Sequence, residues 1–117
     1  MITLVTGGAR SGKSTFAEGL LKDKRDVVYI ATSIITDREM EERVEHHRMS
    51  RPSYWRTFEG YRNLVESMGE EKYYLLDCIT IMVSNIMFDI SKDTDYIDTN
   101  MQRKIEDKIM DELDPLF

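Results

Sequence analysis

Eight consecutive residues near the start of the chain, Gly7-Gly8-Ala9-Arg10-Ser11-Gly12-Lys13-Ser14, satisfy G-x-x-x-x-G-K-[ST] in full. The chemistry this spacing serves is capture of a nucleoside triphosphate. Glycines let the backbone turn tightly and aim N–H groups at phosphate oxygens. A helix beginning at Lys13 adds its positive end. Lys13 supplies a mobile point charge for the β- and γ-phosphates, and the Ser14 hydroxyl can ligate a Mg²⁺ that bridges them. An apolar run before the motif and a helical pattern after it favour this reading over a chance glycine-rich turn.

Two further features could carry chemistry. Asp77 closes the run Tyr73-Tyr74-Leu75-Leu76. A carboxylate leaving the end of a buried strand can hold Mg²⁺ beside a phosphate-binding loop, or it can simply cap the following helix. The chain's two histidines, His46 and His47, are adjacent in a charged segment. Neighbouring residues on a helix point about 100° apart, so the two make a poor metal pair, which prefers i and i+4. A solvated pair is one reading. The other is that one imidazole attacks an α-phosphorus to form a phosphoramidate, with Arg43, Arg48 and Arg51 nearby to neutralise phosphate charge. Spacing alone does not choose between them.

The elements that position these residues follow from periodicity. Ile2–Thr6 predicts a buried parallel strand, and Lys13–Lys22, with Phe16, Ala17, Leu20 and Leu21, a helix. Asp26–Ala31 predicts a second strand with Thr32 and Ser33 as its polar exit. Asp37–Ser50 predicts a charged helix with Met40 and Val44 inward, ended by Arg51-Pro52. Tyr54–Glu59 and Lys72–Asp77 predict further strands, with a helix over Tyr61–Met68 between them. Apolar helices are expected over Ile79–Ile90 and over Tyr96–Leu113, the latter striped by Ile97, Met101, Ile105, Ile109 and Leu113. This alternation indicates one α/β domain over residues 1–117, with a mainly parallel sheet and helices on both faces.

Composition narrows the partners. A net charge of −6 argues against general nucleic-acid binding, which needs a basic surface to displace counterions. A nucleotide can still bind where the local pocket is positive. The single cysteine, Cys78, excludes an internal disulfide and offers no zinc pattern; it reads as a small core residue or a reactive thiol. No apolar run approaches the ~20 residues that span a bilayer. The start lacks a signal-peptide pattern, so the cytoplasm is the expected compartment.

Several motifs together resemble one family. They are LVTGGARSGKS, YIATS, the stretch from Glu39-Met40 through His46-His47-Arg48 to Arg51-Pro52 and Trp55-Arg56-Thr57, and Leu75-Leu76-Asp77-Cys78-Ile79-Thr80. They resemble the bifunctional adenosylcobinamide kinase/adenosylcobinamide-phosphate guanylyltransferases of cobalamin biosynthesis, over the chain as far as about Asp89. The histidine-to-tryptophan stretch is what separates that family from other P-loop kinases. The resemblance implies a P-loop NTPase-like fold and phosphorylation of adenosylcobinamide by ATP or GTP. It also implies transfer of GMP from GTP to the resulting phosphate through a GMP–histidine. That histidine falls on His46. Nucleotide contacts are then expected from Gly7 to Ser14, from Thr32 and Ser33, and from His47, Arg48 and Glu59, with Mg²⁺ on Ser14 and Asp77. A homotrimer is implied as well. Family members run longer and carry further strands, one with a V-T-N-E-V-G-like segment. The domain is therefore expected to lack the family's C-terminal strands and to expose sheet edges and apolar helix faces. Trp55 and Met49 are loose candidates for a corrinoid platform. A different P-loop small-molecule kinase and a non-catalytic nucleotide-binding remnant are the alternatives.

Overall fold

Three strands pair in parallel in the computed structural model, which describes residues 2–8, 11–33, 38–92, 94 and 96–116, with the side chains of Arg43, His47 and Ser50 outside that description. The elements run α1 (Lys13–Leu20), β1 (Val27–Ala31), α2 (Arg38–Ser50), β2 (Arg56–Glu59), a 3₁₀ turn (Leu64–Ser67), β3 (Tyr73–Asp77), α3 (Ile79–Ser91), α4 (Thr99–Leu113) and a final 3₁₀ turn (Asp114–Leu116). The strand order is β2-β1-β3, so β1 is central. Its register pairs Ala31 with Glu59 on one side and with Asp77 on the other. The C-terminal ends of all three strands therefore finish level, and their exits share one edge.

Alternation along the strands builds two cores. Val28 and Ile30 face Leu64, Met82 and Ile86, with Leu76, Ile109 and Leu113 packed around them. Each such fully buried side chain contributes roughly 1.5–3 kcal/mol of transfer free energy. On the opposite face Val27, Tyr29 and Trp55 meet Leu21, Ala31, Tyr73 and Leu75. Among the described residues, helices α3 and α4 cover the first face, whereas the second core is met by Leu21, at the end of α1, and by no residue within a helix. Trp55 is a core residue whose indole N–H donates to the Lys24 carbonyl at 2.9 Å, so it offers no corrinoid platform. Met49 is exposed.

Three expectations change. Ile2–Thr6 forms no strand, and Ile2 and Leu4 are more than two-thirds exposed. An apolar run becomes a strand only when a neighbouring edge takes its hydrogen bonds, and this one pairs with neither β2 nor β3. The helix expected over Tyr61–Met68 contracts to the 3₁₀ turn at Leu64–Ser67. Asn63, with φ 54°, breaks the backbone before it. The Leu64 N–H then donates to Glu112 Oε2 at 3.0 Å rather than to a helical carbonyl. The last helix starts at Thr99 instead of Tyr96, because Asp98 caps it by accepting from the Met101 N–H at 2.8 Å.

Candidate nucleotide site

The glycine-rich segment leads directly into a helix. Gly12 adopts φ 84°, which a side chain would disfavour, and its carbonyl accepts the Phe16 N–H at 2.9 Å. Lys13 is therefore the first residue of α1, and the free N–H groups of the first turn point toward the loop. The Ser11 N–H closes back on the Gly8 carbonyl at 3.3 Å, and Lys13 Nζ lies 3.4 Å from the same oxygen. The ammonium thus rests over the loop, where phosphate oxygens would outcompete a neutral carbonyl. Ala9 and Arg10 lie outside the described residues.

Asp77 joins the loop to the sheet. Its Oδ2 accepts from Ser14 Oγ at 3.2 Å and from the Tyr29 hydroxyl at 2.5 Å. Residues 29 and 31 point to the same face of β1, and Ala31 pairs with Asp77, so Tyr29 and Asp77 lie on one side of the sheet. Burial drives the Tyr29 phenol pKa far above its ordinary value, and the hydrogen bond and charge of Asp77 add to this. The phenol is thereby a fixed donor. The Arg51 guanidinium stacks 3.7 Å from the Tyr29 ring centroid. Asp77 does not cap the next helix: the N-cap of α3 is Cys78, and it makes no side-chain cap bond.

Thr32 supports this edge from within. It is fully buried, its N–H reaches the Asp77 carbonyl at 3.1 Å, and its hydroxyl donates to the Cys78 carbonyl at 2.7 Å while accepting the Cys78 N–H at 2.9 Å. Asn85 holds the Thr32 carbonyl at 3.1 Å. The hydroxyl of Thr32, a residue the resemblance places among the nucleotide contacts, fixes the β3–α3 junction.

A cleft of about 130 Å³ opens over the strand ends, lined by Tyr29, Ser33, Arg48, Arg51, Glu59 and Asp77 among others. That volume suits a phosphate-sized group; whole ligands occupy ~300 Å³ or more. A second cleft of about 370 Å³ shares Ser33 and Glu59 and continues along Gly60, Tyr61 and Arg62. Together they occupy the carboxyl edge of a parallel sheet, where such folds bind ligands. From α2 and its exit come Val44, Arg48 and Arg51, spaced as one helical face. Arg48 forms ion pairs with Glu59 and with Glu45.

The structure therefore gathers Lys13, Ser14 and Asp77 at one end and Ser33, Arg48 and Glu59 around the cleft. His46 is not among the residues that line either cleft. His46 is exposed and lies about 200° around α2 from Val44. The His47 side chain lies outside the described residues. Cys78 is half-buried at the cleft wall, between the core and thiol readings. Among the described residues no three metal-ligating groups converge. Ser14 and Asp77 alone are a poor cage for Ca²⁺ but a fitting pair of hard oxygens for Mg²⁺, which keeps most of its shell as water and phosphate. Sequence reasoning missed Tyr29 and the stacking of Arg51. Alternation along β1 gives the face of Tyr29, but only the β1–β3 register puts Asp77 beside it.

The model of the cobinamide kinase/cobinamide phosphate guanyltransferase family matches residues 3–114. The bifunctional adenosylcobalamin biosynthesis protein CobU of Escherichia coli (strain K12) is 50% identical over 99 residues, covering 81% of this chain and 55% of that protein. CobU of Salmonella typhimurium is 45% identical over 116 residues, 93% of this chain and 64% of the relative. CobP of Pseudomonas aeruginosa is 40% identical over 92 residues, 74% and 53% respectively. The chain thus spans between 53% and 64% of the length of these relatives. A family-model match along nearly the whole sequence, with relatives 40–50% identical, places this chain in the cobinamide kinase/cobinamide phosphate guanyltransferase family.

Proposed function

We propose that this chain is the nucleotide-binding part of an enzyme that phosphorylates adenosylcobinamide with ATP or GTP, then transfers GMP from GTP to the new phosphate. The observation that carries the reading is the 3.2 Å bond from Ser14 Oγ to Asp77 Oδ2. It joins the end of the phosphate loop to the only carboxylate at the end of β3, the pairing that Mg²⁺–triphosphate requires. Gly7 to Ser14 would wrap the phosphates and Lys13 would neutralise the β- and γ-oxygens. Ser14 and Asp77 would hold Mg²⁺, which when bound neutralises charge on the triphosphate. Ser33, Arg48 and Glu59 would hold the rest of the nucleotide along the two clefts. One domain over residues 1–117, a cytoplasmic setting and assembly as a trimer belong to the same proposal.

In the guanylyl step an unprotonated nitrogen of His46 attacks the α-phosphorus. The bond to the bridging oxygen breaks and pyrophosphate leaves with the electron pair. A phosphate oxygen of the corrinoid then displaces the imidazole, which restores His46 and forms a new pyrophosphate linkage. GTP labelled at its α-phosphate, mixed with the protein and Mg²⁺, is expected to leave an acid-labile, base-stable adduct that His46→Asn abolishes. An undiminished adduct in His46→Asn removes this residue from the role. One observation favours a narrower reading, a small-molecule kinase only: His46 is not among the residues that line the two clefts. Absence of any adduct in a sample that hydrolyses or transfers the γ-phosphate would select that reading.

A further inference from the structure

Tyr29 is a polar group in an apolar place. It is 4% exposed, packed with Val27 and Trp55 on the sheet face that carries Asp77. A phenylalanine would fill the same space, so packing alone does not call for a hydroxyl. Burying one is costly unless it is hydrogen-bonded. The hydroxyl donates to Asp77 Oδ2 at 2.5 Å, the same oxygen that accepts from Ser14 at 3.2 Å. The ring is held from the other direction by the Arg51 guanidinium at 3.7 Å, so the phenol has little freedom to leave its acceptor.

We propose that Tyr29 is a positioning residue for Mg²⁺–nucleotide: its hydroxyl fixes the Asp77 carboxylate beside Ser14 before the ligand arrives. The inference rests on the nucleotide-binding reading above. The physical reason is conformational. A carboxylate at a strand end rotates about two torsions, and immobilising it only on binding costs free energy that a preset group does not incur. Mg²⁺ makes this matter because it demands near-ideal geometry from few protein oxygens. In this arrangement the Tyr29 hydroxyl acts as a donor to Asp77 Oδ2, the oxygen it shares with Ser14.

The test is Tyr29→Phe in the full chain, with affinity for a fluorescent GTP analogue measured across a Mg²⁺ titration and again in excess chelator. The Mg²⁺ concentration for half-maximal binding is expected to rise about tenfold, the equivalent of one charge-assisted hydrogen bond. Affinity in chelator is expected to stay unchanged. A purely structural tyrosine would weaken both measurements equally, and either that result or no change in either would overturn the proposal. In an Asp77→Asn background, adding Tyr29→Phe is expected to have no further effect on the Mg²⁺ dependence; an additive effect would also overturn it. If Tyr29→Phe does not fold, 3-fluorotyrosine at position 29 keeps the shape and alters only donor strength. A changed Mg²⁺ half-point then supports the role, and an unchanged one overturns it. A wild type that binds no nucleotide removes the functional reading and this inference together, whereas a wild type that binds alongside an unaffected variant removes only the inference.

Discussion

Replacing Lys13 with alanine separates ligand binding from folding, because among the described residues the ammonium has only a weak contact. Among the described residues its contact within the loop is 3.4 Å to the Gly8 carbonyl, in an exposed setting. A bond that long and wet contributes at most about 0.5 kcal/mol. Removing a cation from the positive end of α1 also relieves a few tenths of a kcal/mol of unfavourable interaction with the helix dipole. The two effects nearly cancel, so the melting temperature of Lys13→Ala should stay within about 2 °C of the parent. Bound triphosphate changes the balance. The same ammonium would make charge-assisted bonds to β- and γ-phosphate oxygens, each about 1.5–3 kcal/mol before screening. Two such bonds at a half-exposed loop leave about 3 kcal/mol, or roughly a hundredfold in Kd. Calorimetric titration of GTP in Mg²⁺, with a thermal melt of the same sample, reads both quantities. Loss of less than about fivefold in affinity at unchanged melting temperature would refute the phosphate assignment. A large fall in melting temperature would instead make Lys13 a structural residue.

Gly12→Ala forces a side chain into the left-handed conformation at φ 84° and should cost about 1–2 kcal/mol, lowering the melting temperature by roughly 5 °C. Gly8→Ala, where an added Cβ meets open space, is the control and should melt with the parent. Glu112→Ala strips the acceptor from the buried Leu64 N–H and should cost about 2–3 kcal/mol, read as a fall of roughly 10 °C. Burial pushes the Glu112 carboxyl up, but the Leu64 and Asn63 N–H groups and Lys108 outweigh it and hold the pKa below its ordinary 4.5. The stabilisation is therefore fully present above pH 4.5 and lost as pH falls through the depressed folded value. The melting-temperature gap between parent and Glu112→Gln should narrow in that acid window, and a gap constant to low pH would contradict the assignment.

Local chemistry made some of this molecule legible and left the rest hidden. Val27–Ala31 and Tyr73–Asp77 are β-branched or aromatic runs bounded by polar residues, and both are strands as the pattern predicts. The apolar run Ile79–Ile90 reads as a helix, and the structure carries it to Ser91. Ile2–Thr6 has the same local signature as β1 and forms no strand, because pairing depends on a neighbour that the five residues do not encode. The turn at Leu64 escaped for a similar reason: its N–H is satisfied by Glu112, 48 residues away. At the site, the loop motif and Asp77 were visible because backbone geometry and a strand end announce them. Tyr29 was not, because nothing in the sequence states which residue of β3 lies opposite Ala31.

The two faces of the sheet explain why the polar constellation is tolerated at all. On one face Val28 and Ile30 meet Leu64, Met82 and Ile86, all fully or nearly fully buried, and the apolar contacts there anchor α3. On the other face the strands alternate from Val27 through Tyr29 to Ala31, and from Tyr73 through Leu75 to Asp77, so polarity rises toward the carboxyl edge. An ionised carboxylate in the first core would be left without partners at a cost of several kcal/mol. At the end of β3 it meets a serine from the phosphate loop and a tyrosine from the central strand within one bond length each, and the cleft keeps it half in water. Extending β3 by one residue, or slipping its register by one, would turn Asp77 into the apolar face and break both bonds together. The parallel register that pairs Ala31 with Asp77 is therefore as much a determinant of the site as the glycine-rich loop.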